Sequence, residues 1–144
     1  MMRKLLVIGL VSWVVIAIVL LGSGGHSVLV RPGPWGIPLG NSVAWTGLIA
    51  FPAAQLLGLY HRQNRAADPR IDIFYTAAWG ALSLSGAWGV LGYGLSGNWA
   101  FVFTPEAATF IGSAEAAAFF TYLTIATVTL PLLILILYLV YRAL

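Results

Sequence analysis

The chain holds few groups able to do chemistry: 7 Lys and Arg, 4 Asp and Glu, 2 His and no Cys. Without Cys there are no disulfides, thiolate nucleophiles, zinc–cysteine sites or iron–sulfur clusters. Asp68 and Asp72 stand beside Arg65 and Arg70 in a polar stretch and read as solvated pairs. Glu106 and Glu115 fall at the starts of helical segments, where the N-terminal dipole favours a carboxylate. Glu115 borders an apolar run, so it is also a candidate partner for Arg31 or a proton-handling group. His26 and His61 are separated by a complete apolar run. Each alone has the chemistry to ligate a pigment or haem, but they cannot form one two-ligand site, and no metal centre is expected. No Ser/His/Asp set, paired carboxylates or glycine-rich phosphate loop can be assembled. The residues do not support catalysis.

The stronger signal is aromatic. The 6 Trp are Trp13, Trp35, Trp45, Trp79, Trp88 and Trp99. Trp35 and Trp99, in loop segments, and Trp45 and Trp79, near the ends of apolar runs, suit an aromatic belt at headgroup depth. Trp88 lies deeper, between Gly86 and Gly89. A Trp in that setting packs on a close neighbour or lines a flat apolar cavity, the kind of wall a planar ligand needs.

The elements that must position these residues follow from composition. Of 144 residues, 60% are apolar and 8% charged, and the mean hydropathy is +0.94. A water-soluble domain carries roughly 25% charged residues. A soluble enzyme, a disordered chain and a nucleic-acid binder are excluded, the last because the cations are scattered rather than clustered on one face. A membrane helix needs about 20 apolar residues. Four runs qualify, at about 5–21, 42–60, 72–95 and 114–139. The first is read as a retained span, since it is long for a signal peptide and no Ala-x-Ala site follows it. Prolines 32, 34 and 38 exclude a regular helix across 26–41. Pro52 lies inside the second run, and Pro131 is expected to kink the last. The third run is rich in Gly, Ala and Ser, which let helices approach closely, and is expected to be the most buried. Thr104-Pro105-Glu106 reads as a helix start, with a short interfacial helix at about 105–111 and a break at Gly112-Ser113.

The cations orient the runs. Arg3 and Lys4, then Arg62, Arg65 and Arg70, then Arg142 fall in segments that four spans place on one side, leaving Arg31 alone of the 7 opposite. The positive-inside rule puts both termini in the cytoplasm. The expectation is a single-domain, all-α integral protein of the cell membrane: a four-transmembrane-helix bundle with a short interfacial helix before the last span.

Several motifs resemble those of the tryptophan-rich sensory protein / translocator protein family (TspO/MBR), over about residues 25–101. These are Leu29-Val30-Arg31-Pro32, Trp35 flanked by Pro34 and Pro38, Val43-Ala44-Trp45-Thr46, the stretch Ala81 to Trp88, and Gly97-Asn98-Trp99-Ala100. Arg31 stands where the family has lysine, Ala81 and Ser85 where it has Gln and Asn, and the family has five spans. The resemblance implies a membrane protein binding a planar apolar ligand, a porphyrin-type or sterol-like molecule, with Arg31, Trp35, Trp45, Ser85 and Trp88 at the site. Scarce charge and a small-residue helix equally suit a non-catalytic accessory subunit of a respiratory or photosynthetic membrane complex. A small transporter is the third reading, resting on Glu115, Pro52 and Pro131. The expected partners are the lipid bilayer and either other membrane subunits or a second copy in a homodimer, with no nucleic acid.

Overall fold

The computed structural model describes residues 2–23, 26–33, 36–63, 68–98 and 110–144, with side chains at 26–27 and 61–63 excepted. Among these residues the chain is all helical: α1 (Met2–Gly22), a single turn α2 (His26–Leu29), α3 (Leu39–Gln63), α4 (Pro69–Ser96) and α5 (Ala114–Ala143). Helices α1, α3 and α5 are long and apolar enough to cross a membrane. Helix α4 has the length, but its many Gly, Ser and Tyr residues dilute its hydropathy. The segment expected to form an interfacial helix lies largely outside the described residues.

Local chemistry explains the boundaries. Asp68 is the N-cap of α4: its carboxylate accepts the Arg70 N–H at 3.0 Å, and Pro69 occupies the first turn, where no N–H is missed. The helix ends on Gly97, whose φ of 74° suits glycine and whose N–H bonds back to the Tyr93 carbonyl at 2.8 Å. Ser113 caps α5, its hydroxyl accepting the Ala116 N–H at 3.2 Å. Between α2 and α3 the Leu39 N–H bonds to the Arg31 carbonyl at 2.9 Å and the Gly33 N–H to the Ile37 carbonyl at 2.7 Å, which draws the ends of the connection together. One helical turn therefore precedes those prolines, and α3 begins directly after Pro38.

Helix α3 is central and touches α1, α4 and α5, while α4 packs on both α3 and α5. Two clusters make the core. Trp88, Phe120 and Leu123 form one, joined by Trp45 and Phe110. Leu56, Leu59 and Ala78 form the other, joined by Phe74, Tyr75 and Tyr138. Along α4 Ala78 of the second cluster, and Ala81 and Ser85 between the two, are almost wholly inaccessible. Their short side chains allow backbones to approach where bulkier ones would hold them apart. By contrast α1 buries Ala17 alone.

Contacts along α1 give its direction. Arg3 donates to the Leu57 carbonyl and lies 4.8 Å from the Tyr60 ring centre, whereas Trp13 donates to the Thr46 hydroxyl at 3.1 Å. Helix α1 thus runs antiparallel to α3. Pairs joining 45 to 85 and 88 to 124 set α4 against α3 and α5 against α4 in the same manner.

Candidate functional site: a groove between α1, α3 and α5

Helix α1 packs along α3 but forms no comparable seam with α5. The two helices α1 and α3 approach closely at Gly47, where an added Cβ would stand 2.9 Å from the Ala17 methyl. Beside that contact a groove follows α3, with Phe51 common to its two halves.

The half farther from Arg142 is a cavity of about 480 Å³. Val14 and Leu21 of α1, Ala44 and Leu48 of α3, and Val128 and Pro131 of α5 contribute walls, and Trp88 of α4 closes the back. Among the described residues no charged side chain lines it. Its polar side chains are Thr124 and Thr127, and both hydroxyls are engaged, donating to the carbonyls of Phe120 at 2.8 Å and Leu123 at 2.7 Å. The Trp88 N–H donates to the Thr124 hydroxyl at 2.8 Å, so the indole plane is pinned to α5. Phe120 lies 5.4 Å from the Trp88 ring and Phe110 a further 5.9 Å on, the latter pair stacked. A pinned aromatic wall with every hydroxyl satisfied favours apolar surface and rewards no charge.

The other half, about 410 Å³, reaches from Phe51 to Arg142 past Val7, Gln55 and Tyr138. Gln55 crosses from α3 to α5, its amide NH₂ donating to the Pro131 carbonyl at 2.7 Å. Its Oε1 is buried and accepts no hydrogen bond from the described residues. A buried carbonyl without a donor is costly, and a bound hydroxyl or water would relieve it.

The residues singled out in the sequence separate in space. Trp88 lines the first cavity. Trp45 is a bracket between helices: its N–H points at the carbonyls of Ser85 at 3.0 Å and Gly86 at 3.2 Å, and its ring lies so close over Gly89 that a Cβ there would overlap it. Ser85 is wholly buried and donates to the Ala81 carbonyl at 2.9 Å. Arg31 is exposed, and among the described residues it makes no ion pair with Glu115, itself exposed in the first turn of α5. Trp35, Trp99 and Glu106 lie outside the described residues, as do the side chains of His26 and His61. Trp79 is half exposed and contacts Tyr75 edge-on.

Gln55, Phe51 and the two threonines escaped the sequence reading. Gln55 had a signal, being an amide alone in an apolar run. The threonines had none, since hydroxyls that bond their own helix are common in apolar segments.

At the cation-rich end Asp68 accepts from the Tyr141 hydroxyl as well as from the Arg70 amide. The Tyr141 hydrogen bond first, and the Arg70 amide second, hold its carboxyl below the usual value, against a smaller opposing effect of burial. Among the described residues no three His, Cys, Asp or Glu side chains gather as metal ligands. No protein-family model, curated protein or solved structure matches this chain.

Proposed function

We propose that the chain is a four-span integral membrane protein with both termini in the cytoplasm, and that it binds a flat apolar molecule in the groove beside Trp88. The topology is supported by Arg3, Arg70 and Arg142, which share one end of the bundle, while Arg31 follows α2 at the other. In this reading α4 is the third of the four spans, and α3 and α5 cover the face that carries Ala78, Ala81 and Ser85.

The observation that carries the ligand reading is the cavity of about 480 Å³ with its aromatic wall and, among the described residues, no charged lining. A site between helices that opens sideways takes its ligand from the bilayer, so the ligand need not cross water. The absence of a cation favours a neutral fused-ring molecule of sterol-like shape over a tetrapyrrole bearing carboxylates, which would want Arg or Lys partners. This stays within the ligand range implied by the resemblance to tryptophan-rich sensory proteins. It keeps Trp88 among the contacts and puts the face of α5 in place of Trp45 and Ser85.

The test is energy transfer from Trp to a fluorescent sterol, with protoporphyrin as the competing probe, on the full chain in lipid nanodiscs. Saturable transfer to the sterol is expected. Val128→Trp, which fills the groove from an exposed position, should weaken it by about tenfold or more, equivalent to about 1.4 kcal/mol. Non-saturable transfer, or affinity unchanged by Val128→Trp, overturns the reading. Co-purification with larger subunits from native membranes, without saturable sterol binding, would favour the accessory-subunit role instead.

A further inference from the structure

The half of the groove nearer Arg142 differs from the other in leading to a charged mouth. Tyr138 and Arg142 line both this cavity and a second pocket at the cation-rich end, which adds Arg70 and Tyr141. One continuous surface therefore runs from Phe51 and Gln55, along α5 past Ile134, to two guanidinium groups. Arg142 makes no ion pair among the described residues. Arg70 uses its backbone N–H on Asp68 and its guanidinium lies 5.8 Å from the Tyr141 ring centre; among the described residues that guanidinium makes no hydrogen bond to a carboxylate. The nearby Asp68 carboxylate already accepts from the Tyr141 hydroxyl.

Dimensions match the chemistry. From Ile134 to Arg142 the helix rises about 12 Å. One leaflet of a hydrocarbon core of about 30 Å is about 15 Å deep. An acyl chain lying in this half of the groove would bring its headgroup to Arg142.

We infer that the inner half of the groove is a binding site for an anionic phospholipid of the cytoplasmic leaflet. Its acyl chain lies between α1, α3 and α5, and its phosphate is held by Arg142 and Arg70 with Tyr138 beside it. The inference rests on the proposed orientation, which puts these arginines at the inner surface. Charge complementarity names the occupant: an apolar channel ending on two guanidiniums that form no ion pair among the described residues suits a molecule with one long apolar part and one phosphate, and basic pockets between membrane helices bind such headgroups.

The experiment uses the full chain in nanodiscs of phosphatidylcholine with graded phosphatidylglycerol of the same acyl length. Lipids retained after mild detergent extraction are counted by native mass spectrometry. Retention of phosphatidylglycerol over phosphatidylcholine by about tenfold is expected, about 1.4 kcal/mol of preference. Arg142→Gln with Arg70→Gln should abolish the preference. Gly58→Leu should displace the lipid while leaving the fold intact, because Gly58 lines this cavity and an added Cβ there meets nothing within 4 Å. Equal retention of the two lipids by the unaltered chain, or a preference that survives the double substitution, overturns the inference. Sterol transfer measured on the same samples separates this site from the one beside Trp88, since Gly58→Leu should spare it. Labelling of Leu144→Cys in sealed vesicles, in a chain with no other Cys, reports separately on the orientation.

Discussion

Helices α1 and α4 both lie antiparallel along α3, yet α4 buries Ile71, Ala78, Ala81, Ser85, Trp88, Gly89, Gly92 and Ser96, while α1 buries Ala17 alone. The more apolar helix is the less buried one. In lipid, hydrocarbon side chains gain little by leaving one apolar environment for another, so Val, Ile and Leu do not drive association. Gly, Ala and Ser do, by letting backbones close up and by leaving room for Trp45 and Trp88 to lock neighbouring helices. Here the helix of highest hydropathy is the least buried, while the helix rich in small residues packs closely on two neighbours. The groove is the physical consequence. A helix held to α3 at Arg3, Trp13 and Ala17, with little else buried, leaves its α5 side open.

Trp88→Ala should have the largest effect, a loss of about 3–5 kcal/mol from the void and the broken bond to Thr124. Ile18→Ala, at a position 65% exposed on α1, should leave the melting temperature in detergent almost unchanged. Equal losses for the pair would break the contrast between the helices. Gly89→Leu comes next, at about 1–3 kcal/mol, because the new side chain must drive Trp45 from its carbonyl acceptors. Its counterpart Gly9→Leu, where nothing lies within 4 Å of an added Cβ, should be neutral or slightly stabilising in the same thermal assay.

Gln55→Leu sharpens the comparison between the two halves of the groove. It removes a bond to Pro131 worth about 0.6 kcal/mol on average between membrane helices. It also removes the orphan Oε1, whose burial costs about 1–3 kcal/mol. The melting temperature should hold or rise, and a fall would show that the oxygen has a partner in the protein as purified.

The smallest effect is expected at Asp68. Its carboxyl binds a proton less readily in the folded chain than in the unfolded one, so its tie to Tyr141 contributes fully above the unfolded value of about 3.9. That contribution fades as pH falls through the lower folded value. Thermal melts between pH 6 and pH 2 should therefore show a step that Asp68→Asn removes.

Much of the helical layout was legible locally. Asp68-Pro69 and Gly97 bracket α4, and Ser113 opens α5 at the break expected there, because caps and prolines act on their own turn of backbone. The single turn of α2 was not expected, since the prolines that follow dominate the reading of that segment. The prominence of Trp88 was also legible, from its depth and its flanking glycines. The distinction between Trp88 at a cavity wall and Trp45 as a bracket was not, because the two indoles have similar neighbours in sequence and differ only in which helix they meet.

By itself the sequence determined the solvent, the helices and the ends that carry charge, all of which depend on residues within a turn or two of each other. Only the tertiary structure decided that α3 is the hub, that α1 stands off from α5, and that Gln55, Phe51, Thr124 and Arg142 line one groove. Those facts depend on how closely two backbones approach. That distance is set jointly by residues far apart in sequence, such as Ala17 and Gly47 or Trp45 and Gly89.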